Sequence, residues 1–361
     1  MRRVPVSLGQ RSYHILVGSS LLQELGRHCS RFGLASKCAI ISDSKVAPRF
    51  GSFIVQTLTD AGFDPRMIVV PAGERSKKLA EVERCYLALA KHRLERKSFV
   101  IALGGGVVGD LAGFVAATYL RGIPFVQIPT TLLAQVDSSV GGKVGVNLPA
   151  GKNLVGAFYQ PRLVLCDSAT LEPLPEREFR AGLAEVIKYG IIYDAPLFRR
   201  LERDLEKILA RDKTVLEPII ARCCAIKAEV VGQDEMESGL RAILNFGHTI
   251  GHALEAISKY GRWLHGEAIS IGQVAAAEIS AELTGLPTAE VDRIRLLFER
   301  AGLPVQTRLN SSQRTKLFDA MRLDKKTSGG EVKFVLAKRI GQVIWGQKVP
   351  MPVIRKVLDQ R

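Results

Sequence analysis

Short β-branched runs alternate with amphipathic stretches through the first half of the chain, and this alternation constrains the fold more than any other feature. The runs are predicted strands, and the stretches between them have helical periodicity. A chain in which strands and helices alternate in this way folds into a parallel sheet covered by helices. The predicted strands are Lys37–Ser42, Met67–Val70, Ser98–Leu103 and Pro124–Pro129.

The pattern changes near residue 178, after which β-branched runs are rare and long helical periodicities follow one another. We therefore predict an α/β domain with a Rossmann-like parallel sheet over residues 1–178 and a mostly α-helical domain over residues 179–361, with the active site in the cleft between them. A late pair of short strands is predicted at Lys333–Lys338 and Gln342–Trp345. The predicted helices are Leu183–Ile192, Thr214–Val231, Gly247–Ser258, Ala268–Leu283 and Ala289–Arg300.

Composition limits the class of protein. The 361 residues are 47% hydrophobic and 24% charged, with no apolar run long enough to span a bilayer and no signal-peptide core after Met1. We therefore expect a cytoplasmic protein rather than a membrane protein. Six cysteines without a Cys-x-x-Cys pair argue against disulfides and against a thiolate zinc site, so reduced core or surface thiols are expected.

The formal charge of +15 indicates an anionic partner, and composition alone leaves nucleic acid, an acidic membrane surface and a small molecule open. The basic residues are spread along the chain without an aromatic-interleaved run or a nucleic-acid motif. Most of them therefore belong to solvated faces, and the few within glycine-rich segments are candidate phosphate ligands. We expect no nucleic-acid or membrane partner.

A glycine-rich turn follows the predicted strand Ser98–Leu103. Gly104, Gly106 and Gly109 have the spacing G-x-G-x-x-G, and a predicted helix follows directly. Glycines let backbone amides approach a pyrophosphate, and a helix N-terminus favours negative charge. The acidic residue usually found about 20 positions later is missing. Asp43, at the end of an earlier strand, is its nearest substitute, and the pattern is equally compatible with a turn role for Asp43.

A second polar segment runs over residues 129–153. It combines hydroxyl side chains, paired glycines and the charged residues Asp137, Lys143 and Lys152. Such a composition suits a polyanionic ligand, and a flexible surface loop is the alternative.

Three of the six histidines fall within one short segment. His248 and His252 are four residues apart and share one face of a helix, and His265 follows a glycine-containing turn. Three imidazoles placed in this way can converge on a metal, although each alone is compatible with a structural role. From the spacing, His248 and His252 would be the ligand pair.

A catalytic zinc site built from two histidines and one carboxylate leaves a coordination position for water or substrate. Glu185 and Lys188 lie three residues apart on a predicted helix whose other positions are apolar, so both point the same way. A charge pair on an apolar face is costly, and we interpret it as functional. A buried structural pair is the alternative.

Together these motifs resemble the 3-dehydroquinate synthase family, within the sugar phosphate cyclase group. Each motif is weak by itself, and the combination is specific. The resemblance extends from Asp43 to Lys333, the latter in a variable region. It rests on Pro71–Lys77, Gly104–Asp110, Thr130–Lys143, Gly151–Asn153, Gly182–Lys188, Arg241–His252 and His265–Glu267.

The resemblance implies an NAD- and metal-dependent carbon–oxygen lyase of the shikimate pathway, which supplies chorismate and the aromatic amino acids. Its substrate would be 3-deoxy-D-arabino-heptulosonate 7-phosphate, and its products 3-dehydroquinate and phosphate. The implied steps are transient oxidation by NAD, phosphate elimination, re-reduction and intramolecular aldol closure. The implied metal is divalent, zinc before cobalt, and the implied assembly is a homodimer.

The resemblance also assigns site residues. It makes Glu185, His248 and His265 the metal ligands, which replaces the pair inferred from spacing and leaves His252 to face the substrate or to transfer a proton. The implied NAD-binding residues are Asp43, Glu74, Lys77, Gly105, Gly106, Val107, Val108, Gly109, Asp110, Thr130, Thr131, Lys143, Lys152 and Thr170. The implied substrate and catalytic residues are Asp137, Lys143, Asn153, Lys188, Lys227, Arg241, Asn245, His252 and Arg121, the last reaching the phosphate site of the neighbouring subunit.

One position departs from the family pattern, because Pro173 stands where the family often has threonine. The alternatives are another sugar phosphate cyclase such as 2-deoxy-scyllo-inosose synthase, a metal-dependent polyol dehydrogenase, and a nucleic-acid-binding protein. The dehydroquinate branch is favoured by Arg241, Asn245, His252 and the Lys152–Asn153 pair.

Overall fold

The computed structural model describes residues 1–258, 262–326 and 332–359. The chain divides into two compact units. The first comprises Met1–Leu174 with Leu216–Gly232, and the second comprises Pro175–Val215 with Gln233–Arg361.

The first unit is built on a seven-stranded sheet with the order β1-β2-β9-β6-β5-β3-β4. β1 pairs with β2 in antiparallel orientation, and the other neighbours are parallel, as the alternating pattern predicts. The strands are β1 (Arg2–Val6), β2 (Tyr13–Gly18), β3 (Lys37–Asp43), β4 (Asp64–Val70), β5 (Phe99–Gly104), β6 (Phe125–Pro129) and β9 (Leu163–Asp167).

Helices cover both faces of this sheet. Every residue of β5 is buried, and its side chains alternate between two apolar clusters. Val100 and Ala102 belong to one cluster, whereas Ile101 and Leu103 belong to the other. A parallel strand buried on both faces must be apolar throughout, which explains why the sequence of β5 is so recognisable. The helices of this unit are α1 (Leu25–Ser30), α2 (Ser52–Asp60), α3 (Leu79–Lys91) and α4 (Gly106–Thr118).

Much of the polar segment over residues 129–153 has regular secondary structure, in contrast to the flexible surface loop given as the alternative. It begins with a short π-helix, Ala134–Ser138, and continues into an antiparallel hairpin of β7 (Lys143–Leu148) and β8 (Gly151–Phe158). These strands approach each other closely at glycines. A Cβ on Gly156 would lie 2.4 Å from the carbonyl oxygen of Val144.

The second unit is mainly helical. All five helices predicted after residue 178 are present, four of them with ends within three residues of the prediction, whereas the helix predicted at Leu183–Ile192 begins seven residues earlier, at Glu176. The predicted late strands are also confirmed, as a hairpin of β10 (Lys333–Arg339) and β11 (Gln342–Lys348). The helices in this later half of the chain are α5 (Glu176–Ile192), α6 (Ala195–Leu209), α7 (Lys213–Gln233), α8 (His248–Ile257), α9 (His265–Thr284), α10 (Thr288–Arg300), α11 (Ser311–Lys326) and α12 (Met351–Asp359).

Most of α7 packs with the first unit, whereas the sequence pattern places residues 179–361 in one domain. Three contacts fix it there. Cys224 Sγ lies 3.2 Å from the carbonyl oxygen of Gln135, and Lys227 Nζ lies 2.6 Å from Asp137 Oδ1. Glu217 accepts a 2.7 Å hydrogen bond from Ser168. A helix can return to an earlier unit without any change in its own periodicity, so the sequence pattern does not show this.

Candidate active site

Two histidines and a glutamate converge in the second unit. His248 is the first residue of α8 and His265 the first residue of α9, and Glu185 lies in the middle of α5. Glu185 is completely buried. Its Oε1 lies 3.6 Å from His248 Nε2 and 3.4 Å from His265 Nε2.

This spacing fits a metal site. Three ligand atoms held about 2.1 Å from a tetrahedral zinc ion lie about 3.4 Å from one another. Hydrogen bonds are shorter, at about 2.7–3.2 Å. A carboxylate oxygen that faces two imidazole nitrogens at 3.4 and 3.6 Å is therefore placed for a shared cation better than for direct hydrogen bonding.

The second nitrogen of each imidazole is directed at an oxygen. His248 Nδ1 lies 3.2 Å from the carbonyl oxygen of Phe246, and His265 Nδ1 lies 3.3 Å from Glu255 Oε2. An N–H at Nδ1 leaves the lone pair on Nε2, which is the atom that faces Glu185. Metal-binding histidines are usually held by such outer partners. Glu255 was not among the predicted site residues.

The surroundings give the two histidines opposite charge preferences. Burial lowers the pKa of His248 to about 3 despite the attraction of Glu185. Burial also opposes the charge on His265, but Glu185 and Glu255 outweigh it and raise its pKa to about 10. Burial by itself would raise the pKa of Glu185, yet Lys188 and the two histidines hold it well below its usual range. The site therefore keeps an ionised carboxylate available for a cation.

Lys188 completes this group. Its Nζ pairs with Glu185 Oε2, and its side chain is almost completely buried. The prediction that Glu185 and Lys188 point the same way from α5 is confirmed. Because both charges are out of water, each depends on the other and on the histidines for compensation.

His252 lies beside the group. Its ring centre is 5.1 Å from that of His248, so the two do share one face of α8. Among the described residues, two triads could hold a metal, Glu185 with His248 and His265, and His252 with Glu255 and His265. Neither contains both His248 and His252, so the pair inferred from spacing is not brought together in a ligand set. The first triad contains the residues that the resemblance assigned.

Glycines let the three helices come close enough to form the group. A Cβ on Gly266, next to His265, would lie 1.8 Å from the carbonyl oxygen of Ala181 on α5. A Cβ on Gly272 would lie 2.1 Å from the carbonyl oxygen of Gly247, which precedes α8. No other residue type fits such contacts, so these glycines set the distances between the helices.

Arg241 and Asn245 lie on a 3-10 helix, Leu240–Asn245, directly before α8. Asp234 holds the start of this segment by accepting hydrogen bonds from the backbone N–H groups of Ser238, Gly239 and Arg241. Burial would raise the pKa of Asp234, and these bonds outweigh it and lower the pKa to about 2. Arg241 itself is buried and donates to the carbonyl oxygen of Glu235.

In the first unit, Asp43 and the glycine turn lie at the carboxyl ends of two neighbouring strands of the sheet. β3 leads outward to β4 on one side, whereas β5 leads to β6 on the other, so the strand order reverses between β3 and β5. Ligands of open α/β sheets bind beyond the carboxyl ends of the strands at such a reversal. Asp43 ends β3, and the glycine turn follows β5 at the same point. Asp43 Oδ1 also accepts hydrogen bonds from Lys45 N and Val46 N, so it has the turn role as well.

The glycine turn is tightly packed. A Cβ on Gly104 would lie 2.7 Å from the side chain of Val108, and a Cβ on Gly106 would lie 3.0 Å from Ser138 Oγ. The side chain of Val108 is buried beneath the turn, so of Val107 and Val108 the latter offers a ligand only its backbone. α4 begins at Gly106, and its first N–H groups are the donors that an anion requires.

Thr130 supplies an unsatisfied polar atom beside this turn. Its N–H donates to the carbonyl oxygen of Gly104 at 3.0 Å. Its hydroxyl is buried and makes no hydrogen bond within the described part of the chain. A buried hydroxyl in this state is costly unless a ligand completes it. Thr131 accepts from Ala134 N, and the hydroxyl of Thr170 donates to the carbonyl oxygen of Asp167 within the core.

Lys77, Asp110 and Asn153 form one polar network. The amine of Lys77 is buried and donates to both Asp110 and Asn153. Asn153 has a left-handed backbone, with φ of 55°, and its N–H donates to Asn147 Oδ1 at 2.9 Å. Asn147 in turn donates to Glu74 Oε1 at 2.7 Å. Asn147, which was not predicted, therefore links two predicted residues.

Four further predicted residues of the first unit form two pairs. Asp137 and Lys227 form an ion pair, in which Lys227 also donates to the carbonyl oxygen of Asp137 at 2.8 Å. Lys143 and Lys152 lie near the starts of β7 and β8.

Arg121 lies in a strained turn. Leu120 and Arg121 have φ values of 50° and 66°, and Gly122 follows at 116°. Two consecutive non-glycine residues in this region cost about 1–2 kcal/mol each, and such strain is concentrated at functional sites. The turn leaves Arg121 exposed.

All six cysteines are free thiols, as expected, and all are buried rather than at the surface. Burial raises the pKa of Cys29 to about 12 and that of Cys85 to about 11. Among the described residues, no helix is both long and apolar enough to cross a membrane.

Solved structures similar to this chain over nearly its whole length include sugar phosphate cyclases. A 2-deoxy-scyllo-inosose synthase, complexed with carbaglucose-6-phosphate, NAD+ and Co2+, has a TM-score of 0.90 and 26% identity, covering 99% of this chain and 100% of that chain. The 2-epi-5-epi-valiolone synthase ValA from Streptomyces hygroscopicus subsp. jinggangensis 5008, with NAD+ and Zn2+ bound, has a TM-score of 0.89 and 27% identity over 98% of both chains. Fold and site thus define an enzyme of the sugar phosphate cyclase class.

Within that class, the chain belongs to the 3-dehydroquinate synthase family. The family's N-terminal region matches residues 67–181, and its C-terminal region matches residues 182–327. A 3-dehydroquinate synthase from Desulforamulus reducens is 50% identical over 360 residues, which is 100% of both chains. The resemblance carried by the motifs is confirmed.

Proposed function

We propose that the protein is a 3-dehydroquinate synthase, which converts 3-deoxy-D-arabino-heptulosonate 7-phosphate into 3-dehydroquinate and phosphate in the shikimate pathway. The observation that carries this proposal is the 50% identity, over the full length of both chains, to an enzyme of that name. The alternative, 2-deoxy-scyllo-inosose synthase, has a closely similar fold but only 26% identity.

NAD and a divalent cation are the proposed cofactors, and zinc is preferred to cobalt as the cation. The first unit supports NAD through the strand reversal, the close-packed glycine turn and the unsatisfied Thr130 hydroxyl. The second unit supports the cation through Glu185, His248 and His265. When bound, NAD supplies reversible hydride transfer without net oxidation, and the cation offsets negative charge on a substrate oxygen.

The chain's own residues bind and orient a phosphorylated sugar acid. Lys188 and Lys227 carry buried positive charges, each beside a carboxylate, and Arg241 is buried before α8. These cations suit a substrate with carboxylate and phosphate groups, and they stabilise the charge that phosphate takes up as its C–O bond breaks. Each of these cations is held by a partner within its own unit, so its side chain can act without reorganisation.

His252 and Asn245 complete the proposed substrate contacts in the second unit. His252 lies outside the proposed ligand triad, and its imidazole is the proposed partner of a substrate hydroxyl in hydrogen bonding or proton transfer. Asn245 lies three residues before His248, and its Nδ2 donates to Glu237 at 3.2 Å.

The proposed assembly is a homodimer in which Arg121 reaches the phosphate site of the second copy. The strained, exposed turn that carries this arginine supports a role for it beyond its own subunit.

The deciding experiment measures inorganic phosphate released from 3-deoxy-D-arabino-heptulosonate 7-phosphate with NAD at far below the substrate concentration, while NADH is followed by absorbance. Phosphate release that needs NAD, stops with a chelator and leaves no NADH is the expected result. Restoration by added zinc or cobalt is the control for the chelator.

The same assay separates the alternatives. Release of phosphate from glucose 6-phosphate or sedoheptulose 7-phosphate, and not from the heptulosonate, would assign the protein to another cyclase. Steady accumulation of NADH with a polyol would indicate a dehydrogenase instead.

A further inference from the structure

Glu255 lies on α8, one turn beyond His252, and is buried with 7% of its surface exposed. Its Oε2 lies 3.3 Å from His265 Nδ1. His265 is thus placed between two carboxylates, Glu255 at Nδ1 and Glu185 at Nε2, the latter 3.4 Å away.

The two histidines of the triad are held in different ways. A backbone carbonyl, that of Phe246, orients His248 from only two residues away. His265 begins α9 and depends on a side chain from α8. A neutral imidazole carries one N–H, and a carboxylate at Nδ1 selects the tautomer with that N–H at Nδ1 and a free lone pair at Nε2.

Glu255 also decides between two ligand sets. Its carboxylate belongs to the alternative triad with His252 and His265. While Glu255 accepts a hydrogen bond from Nδ1–H of His265, the Glu255 carboxylate and Nδ1 are bonded to each other. The imidazole then presents Nε2 to Glu185. The hydrogen bond therefore favours the triad of Glu185, His248 and His265 over the other.

We propose that Glu255 is a positioning residue that holds His265 in the tautomer and orientation required for metal binding with Glu185 and His248. This inference rests on the proposed function, because it takes that triad as the metal site. Glu255 acts through His265 and is not itself a ligand.

The test compares the full-length parent with Glu255→Ala, Glu255→Gln and Glu290→Ala. Dissociation constants for Zn2+ are measured by competition with a chromophoric chelator, and the visible absorption of Co2+-loaded protein reports the ligand geometry. Glu290 is the matched control, since it is a glutamate of the same unit that accepts a hydrogen bond, from Ile340 N at 2.6 Å.

Loss of an outer partner typically weakens metal binding about 10–100-fold, which is the result expected for Glu255→Ala. Glu255→Gln keeps an oxygen that can accept the Nδ1–H, so its loss should be smaller, below about tenfold. Both should alter the Co2+ spectrum. Glu290→Ala should match the parent in affinity and spectrum.

Parent-like zinc affinity and an unchanged Co2+ spectrum in Glu255→Ala would overturn the proposal. If the alanine variant does not fold by circular dichroism, Glu255→Gln decides alone, and a spectrum identical to that of the parent counts against it. A parent that binds no Zn2+ would instead refute the metal site, and a parent that binds Zn2+ but releases no phosphate would refute the proposed activity while leaving Glu255 testable.

Discussion

Two histidines that face the same carboxylate oxygen differ in the proton they hold. Burial keeps His248 neutral, with its pKa near 3, whereas Glu185 and Glu255 raise the pKa of His265 to about 10. Without a cation, a protonated His265 therefore balances part of the negative charge around it. Metal binding requires a neutral imidazole, so a dication at this position displaces that proton.

Replacing one histidine at a time distinguishes the proposed metal ligands from His252, which lies beside them. We expect His265→Ala to abolish turnover and to weaken zinc binding by more than about 100-fold. This loss exceeds that usually caused by removing a residue that only hydrogen-bonds to a ligand. His252→Ala should retain the metal and lose activity, because the role proposed for its imidazole is contact with the substrate and not with the metal. Metal content after dialysis, with circular dichroism for the fold, measures both. Loss of metal in His252→Ala would restore the ligand pair inferred from spacing.

At the scale of elements, the site depends on how closely α5, α8 and α9 approach. The two glycines at these contacts, Gly266 and Gly272, face backbone carbonyl oxygens, which cannot rotate away as a side chain can. The helices that carry the ligands therefore approach each other more closely than any residue with a side chain would allow. The geometry of the ligands follows from this backbone packing.

Gly266→Ala should damage the metal site more than the fold. The added Cβ would lie 1.8 Å from the carbonyl oxygen of Ala181, so α9 must shift relative to α5 at the residue next to His265. Overpacking costs about 1–3 kcal/mol, and we expect a lower melting temperature together with strongly reduced zinc affinity. The control is Gly232→Ala, a helical glycine whose Cβ would meet its nearest atom, Ser7 O, at 3.5 Å. Equal zinc affinity in the two variants would contradict this account.

The sequence predicts the elements whose patterns are local. β5 is recognisable because it is buried on both faces, and α8 because its periodicity is regular. The β7–β8 hairpin was not predicted, because its strands are rich in glycine and polar residues. The packing of most of α7 with the first unit was not predicted either, because it gives no signal in the local sequence pattern. Glu255 and Asn147 were missed for a similar reason, since their roles depend on residues that only tertiary packing brings near.

The candidate site divides in the same way. The spacing of His248 and His252 correctly predicts a shared helix face, but it cannot show which imidazole faces a carboxylate. That carboxylate, Glu185, lies more than sixty positions earlier in the chain. The resemblance supplied the ligand set because a family pattern records tertiary contacts that periodicity does not.

For the whole molecule, the excess of positive charge fits a phosphorylated substrate. A formal charge of +15 attracts anions from a distance, and the buried Lys188 and Arg241 are the fixed charges proposed to contact the substrate. Arg121 differs from these two residues, because its turn is strained and its side chain is exposed. In the proposed homodimer, it would complete the site of the second copy.

Mixing subunits tests whether Arg121 acts across the dimer. Arg121→Ala and His265→Ala should each be strongly impaired alone, but a mixed dimer has one site with an intact metal triad and an arginine from the other copy. Random mixing makes half of the dimers mixed, so activity should recover to about a quarter of that of the parent. His248→Ala mixed with His265→Ala is the control and should recover nothing, because both changes disable the subunit's own site. No recovery in the first mixture would place the action of Arg121 within its own subunit.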